Sequence, residues 1–174
     1  MKQRLCLYHI DMKYIRNLHH VDDNVPSVSP QIGKEKRTFL GVIVLCNGRK
    51  YCVPLSHPTE KHKSMTGRID FTKVFDGEKM IAALNFNLMI PVENAQLIPV
   101  DLRIRKTDNT ATAYYKRLCQ KEIAWCRKHR DDVVNKANVL YQMYTSGTKF
   151  SARRRCLDFP ALESACDKYN QVSR

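Results

Sequence analysis

No run of apolar residues in this 174-residue chain is long enough to cross a bilayer. The opening stretch, MKQRLCLYHIDMKYI, is basic but has neither a long apolar core nor a small-residue cleavage site, so it does not read as a secretory leader. A Gly-rich phosphate loop, a Gly-x-Ser-x-Gly elbow and a His-Glu-x-x-His pair are all missing, which removes three common nucleotide-binding and hydrolase signatures. The seven cysteines (Cys6, Cys46, Cys52, Cys119, Cys126, Cys156 and Cys166) are odd in number and contain no Cys-x-x-Cys pair. They read as free thiols of a cytoplasmic protein rather than as disulfides or zinc ligands. His19-His20 reads as solvated surface, because adjacent helical residues point in different directions. Asp22-Asp23 reads as a turn or cap. No metal and no cofactor are expected.

Acidic residues are also scarce. Seventeen Asp and Glu oppose thirty Lys and Arg, a formal charge of +13. Such an excess raises self-repulsion and attracts polyanions. It is unevenly placed: seven cations against Glu35 and Glu60 between Lys34 and Lys63, and sixteen against eight acids from Asp101 onward. Nucleic acid is the leading partner. A membrane surface ranks well behind it, because no basic amphipathic helix stands out.

What is present suffices for a packed core, with 43% hydrophobic residues. The length fits one domain spanning residues 1–174. The first half reads as strands: LCLYHID (5–11), a hairpin over 37–55 turning at Asn47-Gly48, then 69–75, 79–85, 88–92 and 95–104. A short helix over 13–20 and a long polar loop over 21–36 interrupt them. The first hairpin strand is apolar on both faces and should be central. From Thr112 to Lys128 the period becomes helical, with Tyr114, Leu118 and Trp125 on one stripe. A second helix runs from Asp131 to Tyr144, capped by Asp131 or Asp132 and stopped at Gly147. A last helix follows around FPALESACDKY. These elements predict an α+β fold: a small, bent, antiparallel, barrel-like sheet with packed helices and long C-terminal helices.

Chemistry concentrates after the second hairpin strand, in SHPTEKHK (56–63), where Pro54 should end the strand. Imidazole exchanges protons near neutral pH, a hydroxyl can orient a phosphate oxygen, and lysine neutralises phosphate. These groups suffice for metal-free RNA cleavage by the neighbouring 2′-hydroxyl, because the substrate then brings its own nucleophile. Residue types alone favour a polar turn in which Ser56 caps backbone groups.

Several segments carry a resemblance in order along the chain: YHIDMKYIRNL, FLGVIVLCNGRKYCVPLSHP, HKSM, DFTKVF, ALNFNLMIPV, AYYKRL and EIAW. Together they resemble the ToxN/AbiQ family of type III toxin–antitoxin endoribonucleases, from the start to near the end. The resemblance implies a fold similar to compact MazF-like, SH3-like β-barrels with added helices. It implies cleavage of RNA, often adenine-rich, to a 2′,3′-cyclic phosphate and a 5′-hydroxyl. It further implies a bacterial cytoplasmic toxin acting on cellular or phage mRNA. A repeated pseudoknot antitoxin RNA, which the toxin itself cuts, would hold it in a closed, cyclic protein–RNA assembly.

Carried across residue by residue, Ser56 keeps the first hydroxyl of the family loop. His57 stands where a second serine is usual, and Thr59 stands at the usual lysine. Lys61 is the preferred substitute cation, with Lys63 nearby. Arg37 occupies the basic position before the central strand, and Lys34 and Lys36 are close to it. The catalytic set is therefore Ser56, His57, Arg37 and Lys61, with the general base and general acid unassigned. The RNA-binding set adds Tyr14, Lys34, Lys36, Thr59, Lys63, Trp125 and the run Arg153, Arg154, Arg155. Tyr14 is equally a candidate for core packing, and Trp125, on the apolar stripe, reads as core more than as a base-stacking residue. Asn85 and Asn87 read as partners of backbone groups at a strand end. The rival function is a non-catalytic basic RNA-binding protein using the same groove, and a metal-dependent nuclease is a further alternative.

Overall fold

In the computed structural model, which describes residues 2–29, 37–65 and 68–173, the turn at Asn47-Gly48 folds two central strands onto each other. Gly48 takes φ +81°, a conformation that side-chain-bearing residues rarely adopt. Strand β2 (Phe39–Val44) and strand β3 (Lys50–Ser56) pair antiparallel through it. β1 (Cys6–Ile10) lies on the far side of β2, and β7 (Leu97–Pro99) pairs β1. On its other edge β3 changes partner along its length. Tyr51 and Cys52 face the short β6 (Ile90–Pro91), whereas Leu55 and Ser56 face β5 (Lys79–Asn85). The hairpin of β4 (Phe71–Asp76) with β5 completes a seven-stranded antiparallel sheet in the order β4-β5-β3-β2-β1-β7, with β6 beside β3.

The sheet is antiparallel as expected and is open among the described residues, with β4 and β7 as ends that do not pair. One expectation changes here: Pro54 does not end its strand. It sits opposite Phe39 inside β3, between the residues that bond β6 and those that bond β5, where a missing N–H costs little. β2 is central as expected, flanked by β1 and β3. Gly41 is required in it, because a Cβ there would collide with the Cys52 sulfur.

Helix α1 (Met12–Val21) starts at Asp11, whose carboxylate accepts from the Tyr14 N–H at 3.1 Å. α2 (Glu60–Ser64) is a single capped turn where a loop was expected. α3 (Thr110–Lys128), α4 (Arg130–Thr145) and α5 (Phe159–Val172) supply the helical layer. α4 follows α3 directly through His129. Asp131 and Asp132 therefore lie in its first turn rather than capping it. Gly147, at φ +74°, ends α4 as predicted. The predicted strand over 95–104 is real only at 97–99. Beyond it the Asp101 carboxylate accepts from the Arg103 N–H at 3.0 Å and turns the chain away.

The inward stripe of α3 is rotated from the expected one. Tyr114 is 64% exposed, while Cys119, Glu122, Ile123 and Cys126 are buried. Lys116 points inward because its ammonium pairs with Asp108 at 2.8 Å and also donates to the Arg103 carbonyl. Most buried apolar side chains, including Phe39, Tyr51, Leu84, Phe86 and Phe159, join one cluster between sheet and helices. No helix among the described residues is long and apolar enough to cross a membrane.

Candidate active site

The partner change of β3 decides where the Ser56 loop sits. Ser56 is the last residue of the strand and pairs with Ala83 of β5, and His57 is the first residue off the sheet. On the opposite side the Leu55 N–H donates to the Thr38 carbonyl at 3.0 Å. Carrying the Phe39–Pro54 register outward by two residues brings Arg37 alongside Ser56. The Ser56 Oγ accepts from Asn85 Nδ2 at 2.9 Å, so its own hydroxyl proton remains available to another acceptor.

After Pro58 the chain does not wander. The Thr59 Oγ accepts from the His62 N–H, and His62 Nδ1 accepts from the Thr59 N–H at 3.1 Å, a reciprocal cap for α2. The His62 ring stacks on Phe71 with centroids 5.4 Å apart. Lys73 donates to the Lys63 carbonyl at 2.9 Å and ties this turn back onto β4.

α3 forms the facing wall with Tyr115, Leu118, Cys119 and Glu122. The Tyr115 hydroxyl lies 3.0 Å from His9 Nε2. Between the wall and the loop runs a cleft of about 490 Å³, into which Arg37, Ser56, His57, Thr59 and His62 also open. Burial lowers the affinity of the Arg37 guanidinium for its proton and pushes the Cys119 thiol up to about 12. Burial likewise raises the Glu122 carboxyl to about 7. Among the described residues no three His, Cys, Asp or Glu side chains gather as a metal site.

Of the residues singled out in the sequence, the cleft brings together Arg37, Ser56, His57 and Thr59. Lys61 is exposed on α2 and does not line it. Lys63 is paired with Glu60 at 2.7 Å. Lys34 and Lys36 lie outside the described residues. Tyr14 is a correction: it is fully buried and its hydroxyl donates to the Pro91 carbonyl, so it anchors α1 instead of facing RNA. Trp125 is half-buried and stacked on His129 with centroids 4.0 Å apart, against the core and apart from this cleft. Arg153 donates to the Tyr144 carbonyl and covers that ring, and Arg155 pairs with buried Asp70 at 3.0 Å. Of the three arginines only Arg154 is exposed; Arg153 and Arg155 are half-buried. Asn87 serves a backbone group, the Arg155 carbonyl, as read from the sequence; Asn85 instead holds a side chain of the cleft.

Sequence reasoning missed His62, Tyr115 and Glu122 as cleft residues. The last two were findable: 115, 118, 119 and 122 share one helical stripe, one position from the stripe chosen on Tyr114.

Fold and cleft define a basic α/β protein able to grip a phosphodiester through a guanidinium and a hydroxyl and to move a proton beside it. The comparisons with known proteins narrow this class. A family model described as toxin ToxN of type III toxin–antitoxin systems matches residues 6–167. The chain therefore belongs to the ToxN family of type III toxins. It is 31% identical over 168 residues to endoribonuclease ToxN of Bacillus thuringiensis subsp. kurstaki, covering 93% of this chain and 82% of that one. Endoribonuclease AbiQ of Lactococcus lactis subsp. lactis is 24% identical over 181 residues, 99% of this chain and 93% of that one. A solved type III toxin whose study concerns selective inhibition by a non-coding RNA pseudoknot superposes with a TM-score of 0.79 at 27% identity, covering 97% and 99% of the two chains. The solved structure of AbiQ shares the fold, with a TM-score of 0.82 at 24% identity over 97% and 99% of the chains.

Proposed function

We propose that this chain is the toxin of a type III protein–RNA pair and an endoribonuclease that cuts single-stranded RNA without a metal ion. The observation that carries this reading is the meeting of Arg37, Ser56 and His57 in one cleft at the end of β3. The nucleophile is the substrate's own 2′-hydroxyl. Its oxygen attacks the adjacent phosphorus and gives up its proton to a base, while the bond to the 5′-oxygen breaks and that oxygen takes a proton from an acid. The products are a 2′,3′-cyclic phosphate and a 5′-hydroxyl. Arg37 neutralises the dianionic phosphorane, the contribution expected to be largest. Ser56, its oxygen already held by Asn85, donates its hydroxyl proton to a phosphate oxygen. His57 is exposed at the cleft and can exchange protons with the attacking or leaving oxygen. Lys61, on the exposed face of the neighbouring turn, adds positive potential at the entrance. Adenine-rich RNA in the bacterial cytoplasm, cellular or phage, is the proposed substrate. A repeated pseudoknot antitoxin RNA would occupy the same cleft and close a cyclic assembly with the toxin.

The test is incubation of adenine-rich RNA with wild-type protein and with an S56A/H57A variant in excess EDTA. Cyclic-phosphate ends from the wild type alone are expected. Intact RNA with tight, salt-sensitive binding would replace this reading with a non-catalytic RNA-binding protein. Cleavage that EDTA abolishes would replace it with a metal-dependent nuclease.

A further inference from the structure

Glu122 is the buried acidic residue of the cleft, and the proposed chemistry leaves it without a task. It stands on α3 one turn beyond Leu118 and Cys119 and is 5% exposed, and the surface it keeps belongs to the cleft of Arg37, Ser56 and His57. Among the described residues no hydrogen bond or ion pair reaches its carboxyl, and burial alone accounts for its raised proton affinity. Its oxygens are not sealed in the core but open to the cleft, and burial of the side chain disfavours the charged form there. A partner that arrives with the ligand would explain its retention.

The walls indicate the chemistry of that partner. Arg37, Ser56 and His57 gather the groups suited to a phosphate, whereas α3 offers the apolar sides of Leu118 and Cys119 with Glu122 beside them. A nucleobase linked to the held phosphate would lie flat against such a wall, its edge toward the carboxyl. In either protonation state the carboxyl keeps an oxygen that accepts a hydrogen bond. We propose that Glu122 reads the base beside the scissile phosphate, accepting a hydrogen bond from the exocyclic amine of adenine, cytosine or guanine and so discriminating against uracil. This rests on the reading that the cleft binds RNA. A site built around a buried polar group rejects an analogue lacking its counterpart, because the group is then left unpaired.

Deleting the amine alone tests it. Around each mapped cut, adenosine is replaced by purine riboside, cytidine by its 4-deamino analogue and guanosine by inosine, one position at a time. Wild-type protein should lose roughly tenfold or more in cleavage efficiency at one position. E122A should be indifferent to that deletion, and E122Q, which keeps an amide oxygen, should retain part of the discrimination. Equal discrimination by wild type and E122A at every position would overturn the proposal. So would a uniform slowing of E122A with discrimination intact, the behaviour of a proton carrier. The same cycle run on affinity, with RNA carrying a 2′-deoxy sugar at the cut, separates the two readings. Amine-dependent binding without cleavage of ordinary RNA would sink the nuclease and keep the base reader. Cleavage without amine dependence would do the reverse.

Discussion

Two helical glutamates show how differently the molecule treats a carboxylate. Glu163 on α5 is engaged through one oxygen: the hydroxyls of Tyr51 and Tyr141 each donate to its Oε1 at 2.8 Å, and Asn47 Nδ2 approaches at 3.3 Å. Next to it Arg49 forms a two-point pair with Asp167. That corner ties the hairpin turn and α4 onto α5 through these hydrogen bonds. Glu122 on α3 is more deeply buried and has no such partner among the described residues. The first region gains stability from its carboxylate, whereas the second loses stability to it. A fold tolerates a loss of that kind where a ligand supplies the missing contact.

Arg37 offers the sharpest contrast between the two regions. Arg37→Ala should lower the cleavage rate roughly a hundredfold or more, the scale expected for one group stabilising charge in a transition state. Its melting temperature should barely move, because Arg37 makes no ion pair with the described residues. Single-turnover kinetics beside a thermal melt check both halves.

Glu163→Ala should behave in the opposite way. It leaves two tyrosine hydroxyls without their acceptor and should cost about 3 kcal/mol of stability, with cleavage per folded molecule unchanged. Urea unfolding and an active-site titration read this; a loss of specific activity would erase the proposed division between the regions.

Glu122→Gln should raise stability in alkaline solution. The carboxyl titrates at about 7 in the folded protein against 4.5 for its ordinary value, so the folded state holds the proton more tightly. Stability from this group is therefore full below about pH 4.5 and is lost as pH rises through 7, by about 3 kcal/mol at most. The variant should lose that pH dependence and melt higher than wild type at pH 8. Lower stability at both pH 5 and pH 8 would mean that the carboxyl has a structural partner after all.

The smallest expected effect is that of Asn85, a positioning residue acting through Ser56. Asn85→Ala should reduce kcat by about tenfold, the worth of roughly one oriented hydrogen bond, with KM nearly constant. Equal changes in kcat and KM would argue against orientation of the hydroxyl.

Most of the fold was legible where a short-range signal existed. The Asn47-Gly48 turn, the doubly apolar β2 and the Gly147 stop all follow from local chemistry. What failed depended on distant partners. Pro54 stays in its strand because β3 exchanges β6 for β5 at that point, a fact spread over forty residues of sequence. α2 forms because one threonine and one histidine cap each other, which composition alone does not distinguish from a polar loop. Arg155 and Lys63 read as free cations until their acidic partners are seen. Half of the cleft, the Ser56 loop with Arg37, was visible in the sequence. The α3 wall was not, because a one-residue error in the helical stripe turned Tyr115 and Glu122 away from it.

The most direct test of the central claim is single-turnover cleavage of an RNA carrying one 2′-deoxy sugar immediately 5′ to a mapped cut. If the substrate supplies the nucleophile to the Arg37–Ser56–His57 cleft, that bond stays intact while an all-ribose copy is cut there to a cyclic phosphate. Cleavage at the deoxy position would contradict the account, because the attacking oxygen would then have to come from water or from the protein.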